Sequence, residues 1–105
     1  MKVTTQSVNF NASSDLIDFI EKKVSSLSKF HDKILNAEVF LKLENSSDKE
    51  NKIAEIKINI PGNELVVKKQ YKSFEESIST GVETLKRRLK KSKEKLRKAY
   101  SLFLY

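Results

Sequence analysis

The chain has 105 residues, 38% of them hydrophobic, no cysteine, and a formal net charge of +7. That length and apolar content suit one modest two-layer domain, and the missing cysteines exclude disulfides, thiolate metal sites and thiol nucleophiles. No stretch approaches the roughly 18 apolar residues of a membrane span, and MKVTTQSVNF lacks the apolar core of a secretory signal, so a cytoplasmic protein that does not engage membranes is expected.

Lys2 to Phe10, with Val3, Thr4, Thr5 and Val8, has the composition of a strand. Ser13 is the expected N-cap of a first helix, in which Leu16, Ile20, Val24 and Leu27 recur at spacings of four, four and three until about Phe30. Ile17, Phe19 and Phe30 widen its apolar face. Asp15 and Asp18 fall in its first turns and Lys22, Lys23 and Lys29 toward its end, the order that a helix dipole favours. Ala37, Val39, Leu41 and Leu43 then alternate with polar neighbours or Phe40, and Ala54, Ile56, Ile58 and Ile60 do so with Glu55, Lys57 and Asn59. Both patterns predict half-buried strands, joined as a hairpin by the polar segment NSSDKEN. Pro61-Gly62-Asn63 signals a tight turn into a last strand, Glu64 to Tyr71.

Ser73-Phe74-Glu75-Glu76 has the form of a capping box and opens a second helix with an apolar stripe of Phe74, Ile78, Val82, Leu85, Leu89 and Leu96. Opposite that stripe, at 100° per residue, stand Arg87, Lys91 and Lys98, flanked by Arg88, Lys90 and Lys95. Leu85 to Lys98 carries nine Lys or Arg and one acid, Glu94, so the remainder of the chain sums to −1. Pairs such as Arg87 with Lys91 repel at about 0.2–0.5 kcal/mol each, and the local sequence supplies almost no acid to relieve them. A solvated helix face normally mixes signs; this one points to a polyanionic partner, nucleic acid first.

The element order β-α-β-β-β-α predicts an α+β domain over residues 1–98: one four-stranded mixed sheet with two helices packed on one face, followed by an apolar tail over 99–105. Leu102, Phe103, Leu104 and Tyr105 in that tail are expected to fold back on the domain or to dock on a partner. No catalytic constellation is present. The single histidine, His31, reads as a helix-terminal cation, Asp15, Asp18 and Glu21 read as a solvated face, and two glycines leave no phosphate-cradling loop. Neither enzymatic activity nor a metal or other cofactor is expected. Phe40 and Tyr71 are the candidate exposed rings of the sheet, without a ribonucleoprotein motif around them, which favours backbone and shape recognition of structured RNA over base reading.

Two local patterns resemble the ribosome hibernation-promoting factors, a family that includes ribosome-associated translation inhibitors. Phe19-Ile20-Glu21-Lys22-Lys23-Val24 followed by Leu27 is similar to its aromatic-apolar-x-Lys-Lys-apolar-x-x-Leu segment, and Leu85, Leu89, Lys91, Lys93 and Lys95 are similar to its Leu-x-x-x-Leu-x-Lys-x-Lys-x-Lys pattern. Arg88 departs from the family's usual Gln, and Thr84 from a common Lys. The resemblance implies a short-form, non-enzymatic factor on the small ribosomal subunit and its rRNA, occupying the mRNA and tRNA channel. Lys22, Lys23, Lys29, Arg87, Arg88, Lys91, Lys93, Lys95 and Lys98 would contact phosphates; the factor would be a monomer when free, with a separate ribosome-dimerising factor as a further partner. The alternative from the residues alone is a duplex-RNA-binding module without ribosome preference.

Overall fold

The computed structural model describes residues 1–44 and 49–103, with side chains described through residue 92. In chain order it has β1 (Lys2–Val8), α1 (Ser14–Ser25), a 3-10 turn (Ser26–Lys29), β2 (Asn36–Leu43), β3 (Lys52–Ile60), β4 (Asn63–Tyr71) and α2 (Phe74–Phe103). The sheet order is β1-β2-β3-β4, with β1 parallel to β2 and the other pairs antiparallel. The parallel pair requires a crossover, which α1 supplies; the hairpins follow from the polar loop and the turn. At that turn Gly62 has φ +75°, the left-handed value that a type II turn demands after Pro61.

Alternation along the strands separates two faces. Ala37, Val39 and Leu41 of β2 and Ile56 and Ile58 of β3 are fully buried against Ile20, Val24 and Leu27 on one side and Ile78, Leu85 and Leu89 on the other. Each of the Val, Leu and Ile side chains among them contributes about 1.5–3 kcal/mol by leaving water. Gly81 lets α2 settle closely on the sheet, since a Cβ there would lie 2.9 Å from Cδ1 of Ile56. Ser77, also fully buried, donates its hydroxyl to the Lys52 carbonyl at 2.8 Å and ties α2 to β3.

The outer face of the sheet is polar and balanced in charge. Register places Lys42, Lys57 and Lys68 there among Glu38, Glu55 and Glu64. Lys57 Nζ lies 3.2 Å from Glu64 and 3.7 Å from Glu38. The hydrogen bond and charge of Glu64, with the charge of Glu38, hold the Lys57 ammonium above its ordinary pKa. Phe40 is half-buried on this outer face, whereas Tyr71 pairs with Lys52 and so shares the parity of the helix-facing residues. The two rings expected on one exposed surface therefore stand on opposite sides, and they form no common stacking platform.

Both predicted N-caps form: the Leu16 N–H donates to Ser13 Oγ at 3.2 Å and the Glu76 N–H to Ser73 Oγ at 3.1 Å. Two boundaries differ from expectation. β1 ends at Val8 because Asn9 adopts φ 66° and Ser7 Oγ donates to the Phe10 carbonyl. The first helix tightens into a 3-10 turn after Ser25, where the hydroxyls of Ser26 and Ser28 bond the carbonyls of Lys23 and Ser25. His31, expected as a helix-terminal cation, lies in a buried position, 4% exposed, where its Nδ1 accepts the Lys33 N–H at 3.1 Å. α2 continues as helical backbone through Phe103, into the segment read as an apolar tail. Leu104 and Tyr105, and the side chains of Leu102 and Phe103, lie outside the described residues.

Candidate nucleic-acid interface

The two helices run side by side in the same direction. Phe10, just ahead of α1, stacks on Phe74, the first residue of α2, with centroids 5.0 Å apart and planes 7° from parallel. At the other end Phe30, just past the 3-10 turn, lies under Lys86 and Lys90 of α2. Their dipoles therefore add, positive end with positive end, and the charged residues follow that polarity. Asp15, Asp18, Glu75 and Glu76 occupy the N-terminal turns, and Lys22 and Lys23 the last turn of α1. The helix layer is acidic at one end and basic at the other.

The cations read from the sequence fall into distinct surroundings. Lys23 and Lys29 line a groove of ≈ 230 Å³ between the helices, together with Ser26, Ser79, Glu83 and Lys86, over Phe30 and Val82. Lys23 also places its ammonium 5.9 Å from the Phe19 ring centroid. Lys22 faces another way, beside Asp15, Asp18 and Glu21. Of the two neighbours it is thus Lys23 that stands next to α2, because the approach of α2 fixes which flank of α1 becomes the groove wall.

On α2, Arg87 and Lys91 are exposed on the outward side. Arg88 turns toward the sheet edge, where Nη1 donates to the Val66 carbonyl of β4 at 2.8 Å. That bond satisfies an acceptor on an edge strand, and the guanidinium keeps other N–H groups for a ligand. Arg88 and Lys91 also border a shallow concavity with Asn63 and Leu65 at the β3–β4 turn. The side chains of Lys93, Lys95 and Lys98 lie outside the described residues, although their backbone is part of α2.

Lys90 flanks the cationic face on the helical wheel, but neither it nor Lys86 was among the phosphate contacts that the resemblance implied, and their ammoniums lie 5.1 Å and 4.8 Å from the Phe30 centroid. Their signal was the four-residue spacing on the flank of the stripe together with an aromatic residue at the end of the first helix. No ion pair joins any of these cations to an acid among the described residues, in contrast to Lys57 on the outer sheet face. A predominantly cationic surface with ammonium and guanidinium donors can hold phosphates. Phosphate contacts of this kind release counterions and fix position on a nucleic acid without reading its sequence. No described helix is long and apolar enough to cross a membrane.

The profile of the family described as Sigma 54 modulation protein / S30EA ribosomal protein matches residues 3–97. The chain is 30% identical over 95 residues to a ribosome hibernation promoting factor of Pseudomonas putida, across 90% of this chain and 89% of that relative. The N-terminal domain of Protein Y from Thermus thermophilus superposes with a TM-score of 0.75 at 25% identity, covering 87% of this chain and 98% of that domain. A ribosomal subunit interface protein from Coxiella burnetii, 19% identical, shares the fold at a TM-score of 0.78 over 90% of this chain and 99% of its own.

Proposed function

The chain belongs to the Sigma 54 modulation protein / S30EA ribosomal protein family, and from that premise we propose that it is a ribosome hibernation factor. It occupies the small ribosomal subunit at the decoding region, excludes mRNA and tRNA, and so inhibits translation in idle, stressed or stationary-phase cells, acting in the cytoplasm. The observation that carries this reading is the basic end of the two-helix layer, where Lys23, Lys29, Lys86, Arg87, Lys90 and Lys91 lie together without an ion pair to a described acid. The name of the Pseudomonas putida relative supports the ribosome as the source of the phosphates.

Inhibition follows from occupancy, with no bond made or broken. The cations neutralise rRNA phosphates and release counterions, and the body of the domain then fills volume that mRNA and tRNA would need. A ribosome-dimerising partner would act as a separate chain, and the factor itself is read as a monomer when free. Binding without ribosome preference is the competing reading, favoured by Phe40 and Tyr71 lying on opposite sides of the sheet without a common stacking platform, since backbone contacts alone carry no sequence information.

Occlusion is tested by adding the protein to small subunits that hold a labelled mRNA and initiator tRNA. Release of both ligands, at protein concentrations that track subunit occupancy, is the expected result. Full retention of both at saturating protein would place the domain elsewhere on the subunit.

A further inference from the structure

Lys86 and Lys90 are one helical turn apart and carry like charge, so isolated on a helix they would swing away from each other. Here they converge. Both ammoniums sit over the single ring of Phe30, 4.8 and 5.1 Å from its centroid, which keeps them within roughly one Debye length of each other, ~10 Å at 0.1 M salt. The ring face attracts each cation and orders two long side chains that would otherwise rotate freely. Glu83, the acid three residues before Lys86, also lines the groove but forms no ion pair with it, so both ammoniums remain available to an external anion. Lys23 and Lys29 approach the same groove from the other helix.

We propose that Lys86 and Lys90, gathered on the Phe30 ring, form a two-ammonium clamp for adjacent phosphates of an RNA backbone at the mouth of the inter-helix groove. The clamp rests on the ribosome-binding reading and adds to it a contact outside the Lys-x-Lys-x-Lys pattern of the helix. Phe30 is a positioning residue: it touches the lysines, and its ring fixes where the two positive charges stand before the RNA arrives. A phosphate pair bound between them relieves their mutual repulsion, which gives the site its preference for a doubly charged stretch of backbone over a single anion. Glu83, on the groove wall nearer the acidic ends of the helices, steers that backbone toward the Phe30 end.

The test is the affinity for purified small ribosomal subunits across a 50–200 mM KCl series, compared among the wild type, the double variant Lys86→Met/Lys90→Met, and Phe30→Leu. Methionine keeps an apolar stem against the ring and removes only the charge. The double variant is expected to bind roughly tenfold or more weakly at 0.1 M salt and to lower the slope of log K against log salt by about 1.4–1.8, two phosphates at 0.7–0.9 each. Phe30→Leu keeps both charges, so its slope is expected to stay while affinity falls several-fold. An unchanged slope and affinity in the double variant, alongside intact binding by the wild type, would overturn the clamp and leave the ribosome reading standing. Absence of wild-type binding would overturn both. Thermal melting of each variant identifies any loss that comes from unfolding, and the methionine pair decides the matter if Phe30→Leu does not fold.

Discussion

Replacing Arg87 and Lys91 together by glutamate is expected to weaken association with small ribosomal subunits by on the order of 100-fold or more while leaving the melting temperature nearly unchanged. Both side chains are exposed on the outward side of α2. Each reversal removes a phosphate contact and sets a carboxylate against the same phosphate, and such like-charge juxtaposition costs several kcal/mol across an interface. Stability is nearly unaffected, because the double reversal exchanges one like-charge pair one turn apart, Arg87 with Lys91, for another of opposite sign. The new carboxylates gain cationic neighbours, Lys90 and Lys95, where the Glu83 spacing to Arg87 is lost, each pair worth about 0.2–0.5 kcal/mol. Subunit co-sedimentation and a melting curve on the same preparation check both halves. Undiminished association in a folded variant would remove the outward side of α2 from the interface.

The complementary variant is Leu85→Ala, which is expected to cost about 2–5 kcal/mol through lost burial and a residual cavity. Leu85 is fully buried between α2 and the sheet, in the cluster that contains Ile56, Ile78 and Leu89. Small domains have about 5–15 kcal/mol in total, so this one change removes a large share. For a domain of about 100 residues each kcal/mol lowers the melting temperature by about 4–8 °C. The drop should be read directly by calorimetry, and at temperatures where the variant is still folded its subunit affinity should equal that of the wild type. A melting temperature within a degree or two of the wild type would contradict the packing of α2 described here. Arg87 and Leu85, two positions apart on one helix, thus separate binding from folding.

Much of this organisation was legible because it is written in short periods. The alternation of Ala37, Val39, Leu41 and Leu43 and of Ala54, Ile56, Ile58 and Ile60 set the helix-facing side of β2 and β3, and the structure buries all of these except Leu43, which is exposed at the end of β2. The helical spacing of Ile20, Val24 and Leu27 and of Ile78, Val82, Leu85 and Leu89 did the same for the helices. Ser13 and Ser73 marked the starts through hydrogen-bonding chemistry that is local to three residues.

What escaped the sequence depends on contacts between distant segments. The parallel alignment of α1 and α2 rests on Phe10 meeting Phe74 and on Phe30 meeting Lys86 and Lys90, and no local spacing encodes those pairs. That alignment places Lys23 rather than Lys22 in the groove and makes the helix layer electrically polar along its length. Arg88 reads on a helical wheel as a flanking cation, yet its hydrogen bond to Val66 requires knowing that β4 is an edge strand. Burial of His31 likewise follows from chain packing after the 3-10 turn, where its place at the end of the first helix suggested only a helix-terminal cation.

On the proposed reading, the polarity of the helix layer bears on how the domain would meet RNA. Phosphates attract the end that bears Lys23, Lys29, Lys86 and Lys90 and repel the end that bears Asp15, Asp18, Glu75 and Glu76. A dipolar surface of this kind orients a protein during encounter as well as holding it afterward. The balanced charges of the outer sheet face, with Lys57 engaged by Glu64 and Glu38, offer no second polyanion surface among the described residues.

The most direct test of ribosome occupancy is co-sedimentation of the wild-type protein with purified small subunits across a salt series, with excess duplex RNA as competitor. Retention on the subunit in the presence of the competitor, with affinity falling linearly in log salt, is the expected result. Transfer of the protein to the duplex competitor would contradict it, and would identify the basic helix face as a general grip on RNA rather than a surface fitted to the ribosome.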